Sequence, residues 1–245
     1  MILFSNQIDL WKDARGIGVT HFPCALGTTN LGDDIQSEAC RLYFDLEPGK
    51  WCPRDDSTKW AGVVPLCGWF GRCPRPSTAQ WVVVGFHLWR EEGADFDALR
   101  RAVAEQGFPA GCRDIHTRDM LLRHDIPAVF GGCVTQTLLE QPKVPTLKLA
   151  IEAEYPNQSW VVSTHRIRGL KHLHPLARLT IARSQLALLG AAEKVLTTKL
   201  HAYLPALAMG CPVVKTPDDM EPVNPERWAG YLNAEVVHGA NNRWL

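Results

Sequence analysis

A chain of 245 residues that is 46% hydrophobic and 21% charged has the make-up of a globular protein long enough to bury a core without staples. Its 26 Lys and Arg balance 26 Asp and Glu, so no global field points to nucleic acid or a membrane surface, and an anionic partner has to be read by a local patch. No apolar run approaches the ~20 residues of a transmembrane helix.

The opening MILFSNQIDLWKDARG lacks the basic, apolar and small-residue regions of a secretion signal. Apolar, β-branched runs at 17–20, 63–66, 81–86, 128–130, 160–163, 194–197 and 212–215 read as strands. Helical patterns lie between many of them. The segment 34–44 sets Ile35, Ala39, Leu42 and Tyr43 on one face, and 96–106 ends at Gly107 and Pro109. A third helix is predicted over 117–124, and a fourth carries the stripe Leu176, Leu179, Ala182, Leu186, Leu189 up to Gly190. Strands alternating with helices predict an α/β fold with largely parallel sheets. EQPKVP, with two prolines and no periodicity, marks a boundary between domains 1–143 and 144–245. Eight scattered cysteines without a C-x-x-C pair predict reduced thiols in a cytoplasmic protein, with no disulfide framework and no zinc site.

In such folds ligands sit beyond the carboxyl ends of strands, where loops enter helices. KVLTTKLHAYLPALAMGCPVV reads as strand, turn, helix, turn, strand, with Thr197 or Thr198 as cap and Gly210 as stop. Lys199 and His201 then fall in the first helical turn. A cation there adds to the positive end of the helix dipole at a cost in helix stability, which suits an anionic ligand, although spacing alone favours a solvated Lys and a core His. GCRDIHT places Arg113 at a second strand-to-helix turn, where it either grips an anion or pairs with Asp114 or Asp119. GTTNLGDDIQ puts Asn30 and Asp33 before a helix, as caps or facing a sugar hydroxyl. His87 ends the strand of QWVVVGFH. STHRIRGLKHLH, carrying Arg166 and Arg168, is a basic loop that is either solvated or meets phosphates.

In this order NLGDDIQ, CGWF with VVVGFH, GCRDIHT, GGCVTQTL and TTKLHAYLPALAMGCPVV resemble the motifs of polysaccharide pyruvyl transferases. The similarity runs over roughly residues 26 to 235, and ERWAGYL resembles a carboxyl-terminal helix of that family. The resemblance implies two Rossmann-like domains facing a cleft, as in glycosyltransferase-B enzymes. It also implies transfer of the pyruvyl group of phosphoenolpyruvate onto two hydroxyls of one sugar as a cyclic ketal. His201 is then the catalytic acid, Lys199, Arg113 and His87 bind the donor, and Asn30, Asp33, Arg166 and Arg168 are the acceptor-side candidates.

The implied partners are phosphoenolpyruvate and a soluble or lipid-linked sugar acceptor of a polysaccharide or glycolipid, with no cofactor, no metal and no nucleic acid. A lipid-linked acceptor brings with it peripheral contact with the inner membrane. The sequence carries no sign of the oligomeric state. Two features depart from the family: Lys199 stands where arginine is usual, and Cys67 where asparagine often precedes GWF. A nucleotide-sugar glycosyltransferase of the same fold class, or a non-catalytic sugar- or nucleotide-binding module, are the alternatives.

Overall fold

A computed structural model of the chain describes residues 5–70, 78–139, 142, 144–153 and 159–215. The amino-terminal part runs α1 (Ser5–Gly16), β1 (Phe22–Cys24), α2 (Leu31–Tyr43), β2 (Trp51–Pro53), β3 (Val63–Phe70) and β4 (Gln80–Leu88). It continues through α3 (Phe96–Gln106), β5 (Ala110–Cys112), α4 (Ile115–Arg123) and β6 (Ala128–Phe130). Then come β7 (Val144–Ile151), β8 (Trp160–Ser163), α5 (Pro175–Ala191), β9 (Ala192–Thr197), α6 (Leu200–Ala208) and β10 (Val213–Lys215). Every strand pairing is parallel. The fold is therefore α/β with parallel sheets, as the alternating pattern predicts.

One sheet has the order β3-β4-β5-β6, and β1-β2 lies at its β3 edge, joined where Thr20 N and His21 N both donate to the Val63 carbonyl. The other sheet has the order β10-β9-β7-β8. Strand order reverses between β1 and β3 in the first and between β7 and β9 in the second. Such reversals splay the loops at the carboxyl ends of the strands and open the crevices where α/β proteins bind ligands. Helix α2 lies between the layers, and its apolar face packs on α5 and α6.

Local chemistry explains most boundaries. Asn30 caps α2 by accepting from Gly32 N, Asp95 caps α3 by accepting from Ala98 N, and Gly107 ends α3 in the left-handed conformation. The strand expected at 17–20 is displaced to β1, because Gly18 has φ +79° and breaks the extended run before it can pair. Helix α1 escapes the sequence pattern. Its buried residues Leu10 and Trp11 press onto a shelf of glycines, and a Cβ on Gly111 or Gly131 would meet the Leu10 methyl at 2.5 or 2.7 Å. Trp11 Nε1 donates to the Gly131 carbonyl at 2.9 Å, fixing the helix across the strand ends.

Strand β7 was also unforeseen, since the proline and two lysines of KVPTLKL mask its alternation. The segment read as a linker, EQPKVP, lies partly outside the described residues; β7 begins at Val144. Cys73 and the ERWAGYL segment also lie outside them. The described cysteines are free and buried, and burial pushes the Cys24 thiol up to about 12. Among the described residues no helix is long and apolar enough to cross a membrane.

Candidate functional site at the carboxyl ends of the strands

The site begins at the junction of β9 and α6. Thr197 Oγ1 donates to the Ile151 carbonyl at 3.1 Å and accepts from Lys199 N at 2.9 Å. Thr198 Oγ1 donates to the Glu152 carbonyl at 3.0 Å. The two threonines thus tie the end of β9 to the end of β7, across the reversal in strand order. Neither caps α6 as the sequence suggested: the cap position is Lys199, and its side chain makes no capping bond. Gly210, at φ +71°, does stop the helix.

His201 follows in the first turn of α6 and is buried. Its Nε2 stands 3.4 Å from Arg113 Nη1, although 88 residues separate them. Arginine carries only donors, so in this contact the ring nitrogen is placed to accept. The other edge of the ring leans on α2. A Cβ on Gly32 would stand 2.7 Å from His201 Nδ1, a distance real Cβ atoms do not show. Gly32 is therefore glycine for close approach.

Arg113 is fully buried at the turn from β5 to α4. Its Nη1 also reaches Gln36 Oε1 at 3.5 Å, and Gln36 Nε2 donates to Cys133 Sγ at 3.3 Å. Asp114, the neighbour offered as its ion-pair partner, lies 4.0 Å from Arg113 Nε and is otherwise committed. It caps α4 by accepting from Thr117 N at 2.8 Å and pairs with His87 Nδ1. Burial alone would lift the Asp114 carboxyl, but the bond and charge of His87, the Arg113 charge and the Thr117 amide hold it down at about 2. His87 Nδ1 also meets Thr117 Oγ1 at 3.2 Å. The strand-end His thus sits behind Arg113, holding the carboxylate that adjoins it.

Lys199 is a quarter exposed and pairs with Glu152 Oε2 at 3.4 Å. Glu152 also accepts from Thr164 Oγ1 at 2.9 Å and from the amides of His165 and Arg166 at 3.0 and 3.1 Å. This carboxylate adopts φ +47°, a left-handed conformation that costs about 1 kcal/mol or more for a residue with a Cβ. Strain held by four converging bonds beside a strand reversal marks the position as built. His165, fully buried beside it, has its pKa lowered to about 4 by burial, with Lys199 adding to the effect and Glu152 opposing it.

The acceptor-side candidates divide. Asn30 is engaged as the α2 cap, and its backbone bridges to Arg166. Asp33 pairs with Arg54 Nη1 at 3.1 Å, and the Arg54 guanidinium lies 5.7 Å from the centroid of the half-exposed Trp69 ring. Arg166 is exposed, with Nε 3.8 Å from Glu152 Oε2, and Arg168 is exposed. Arg178, which follows the basic loop on α5, is not available to an anion: it is buried in a two-pronged ion pair with Asp34, both contacts at 2.9 Å.

The structure thus gathers His201, Arg113, Gln36 and Gly32 into one buried group, with His87 behind it and the Lys199–Glu152 pair at its side. Sequence reading missed Gln36, Glu152, Arg54 and Trp69. Glu152 was findable in principle as the first residue after a strand, but that strand was not seen. Among the described residues no cluster of His, Cys, Asp or Glu suits a metal ion.

No family model matches the chain, and no curated protein matches it. A solved structure of an uncharacterized protein from Klebsiella pneumoniae is similar with a TM-score of 0.51. The identity is 12%, over 92% of this chain and 94% of that one. The likeness spans nearly the whole fold and concerns the fold alone.

Proposed function

We propose that the protein is a phosphoenolpyruvate-dependent pyruvyl transferase that forms a cyclic ketal on a sugar, within a fold of the two-domain, glycosyltransferase-B type. The observation that carries this reading is the Arg113–His201 contact, which puts an anion-binding guanidinium and a titratable imidazole side by side at the carboxyl ends of strands from both sheets.

In the unliganded protein Arg113 faces the nitrogen of His201 that has to carry the proton. A donor carboxylate or phosphate that accepts from Arg113 removes that opposition and favours the imidazolium. His201 then protonates the methylene carbon of the donor, and the carbon bearing the phosphate becomes cationic and is attacked by a sugar hydroxyl. Phosphate leaves with the electron pair of its C–O bond and takes one hydroxyl proton, a second hydroxyl closes the ketal, and its proton returns to His201. Arg113 stabilises the departing charge. Lys199 lends its charge from the rim, already shared with Glu152. Both His201 and Arg113 are shielded, so donor entry requires the surrounding loops to part.

Nucleotide-sugar transfer is disfavoured by one observation. Arg178, which follows the basic loop on α5 and would be needed to hold a diphosphate, is committed to Asp34, and the exposed Arg166 leans toward Glu152 at 3.8 Å. The test is phosphate release from phosphoenolpyruvate in the presence of sugar acceptors, alongside a thermal-shift screen. Stabilisation by phosphoenolpyruvate but not by nucleotide sugars supports the proposal. The reverse pattern would overturn it.

A further inference from the structure

At the far end of α2, about 15 Å along the helix from Gly32, lies a cavity of about 730 Å³. It opens between α2, α5 and the 134–139 turn, and the end of α6 contributes Met209. A volume of that order suits a small organic ligand. Its walls are largely apolar, built from Leu42, Leu138, Leu139, Leu186 and Met209. Leu42 and Leu139, at its mouth, are 48% and 79% exposed.

The charged residues lining the same cavity are Arg15, Arg41, Arg183 and Glu38. Glu38 is fully buried and serves two of the arginines. Arg41 reaches both of its oxygens, at 2.9 and 2.8 Å, and Arg183 Nε reaches Oε1 at 2.7 Å. Arg15 lies over the Tyr43 ring, 5.7 Å from its centroid. Among the residues that line the cavity, three guanidinium charges stand against one carboxylate, while Asp45 and Glu47 act on Arg41 from outside the lining. The buried carboxylate fixes Arg41 and Arg183 in place, so little side-chain freedom is lost when they meet a ligand.

We infer that this cavity binds a single-chain amphiphile whose head is a phosphate monoester, with the hydrocarbon between Leu42, Leu139 and Leu186 and the phosphate on the arginines. The lining's surplus of two positive charges matches a phosphate monoester, which carries about −1.5 to −2 at pH 7, better than it matches a carboxylate. The inference is independent of the proposed reaction, since it involves neither Arg113 nor His201.

The experiment is titration calorimetry of the full chain with dodecyl phosphate below its micelle concentration, with laurate, dodecanol and inorganic phosphate as comparisons. One dodecyl phosphate is expected per chain, with at least tenfold weaker binding of dodecanol and inorganic phosphate and about fivefold weaker binding of laurate. Arg183→Ala is expected to weaken dodecyl phosphate about tenfold and leave dodecanol unchanged. Ala187→Trp, which fills the cavity from an exposed position on α5, is expected to abolish binding while melting as the parent does. Absence of dodecyl phosphate binding overturns the inference. So does dodecanol or laurate binding as tightly, or unaltered binding in Ala187→Trp.

Discussion

Arg113 Nη1 stands 3.4 Å from His201 Nε2, joining the turn after β5 to the first turn of α6. The guanidinium faces the very nitrogen that the proposed reaction asks to carry a proton. His201→Gln keeps the size and a polar end but cannot transfer a proton in this range. It is expected to lower phosphate release from phosphoenolpyruvate by about 10² to 10⁴-fold with the melting temperature little changed. Turnover within a few-fold of the parent in a folded His201→Gln protein would remove His201 from the proposed role.

Arg113→Lys tests the same contact from the other side. Lysine is a point charge without the planar fork, so it holds charge near the donor but loses two-pronged recognition. The expected outcome is a KM for phosphoenolpyruvate raised at least tenfold with a smaller loss in kcat. An unchanged KM would show that the donor does not meet Arg113.

Gly32 offers a sharper test, because it touches the ring without carrying chemistry. In Gly32→Ala the added carbon would lie 2.7 Å from His201 Nδ1 and 3.1 Å from its Cβ, so the imidazole has to move. Alanine otherwise favours a helix over glycine by up to about 1 kcal/mol, so stability should change little. Activity is expected to fall at least tenfold, together with a shift of the His201 ring resonances in NMR. If both stay put, the ring is not held where the structure holds it.

How much of this was legible in the sequence depends on the range of the interaction. The α6 entrance was readable because its strand, Lys-Leu-His turn and Gly210 stop all act within about twenty residues. Helix α3 was bounded correctly at both ends, its stop read from Gly107, which the structure shows in the left-handed conformation. What failed was non-local. Gln36 reads as one polar position on an amphipathic helix, and only the fold brings it under Arg113. Asp34 reads as a helix-dipole carboxylate, yet its partner Arg178 lies 144 residues away. Helix α1 has too few apolar residues for a stripe; its stability comes from the glycine shelf on strands it does not adjoin in sequence.

That Asp34–Arg178 pair ties α2 to α5 in the dry interior, and Arg178 Nη1 also donates to the Leu26 carbonyl at 2.9 Å. Removing one partner leaves the other charged and buried. Asp34→Ala or Arg178→Ala is expected to cost about 3–5 kcal/mol in urea unfolding. The apolar double replacement Asp34→Leu with Arg178→Met is expected to cost less than either single change. Additive losses would show that the two side chains do not act as a pair.

His165 gives the pH signature. Burial, with Lys199 adding to it, lowers its pKa from the ordinary 6.5 to about 4, against the pull of Glu152. The unfolded chain therefore binds a proton in the window between those values and the folded chain does not. Stability from this group is complete above about pH 6.5 and is lost as the pH falls toward 4, a difference worth about 3 kcal/mol. Asp34 acts in the opposite sense. Burial raises its pKa to about 6 despite Arg178, so its contribution is present at low pH and lost as the pH rises through 6. The two nearly offset each other in the parent, and a single acid-unfolding curve does not separate them. Comparison with His165→Leu does, since Asp34 is common to both proteins. Between pH 7 and 4.5 the parent is expected to lose stability relative to His165→Leu by about 2–3 kcal/mol in urea titrations. Parallel curves across that range would mean that His165 is protonated as easily in the folded protein as in the unfolded chain.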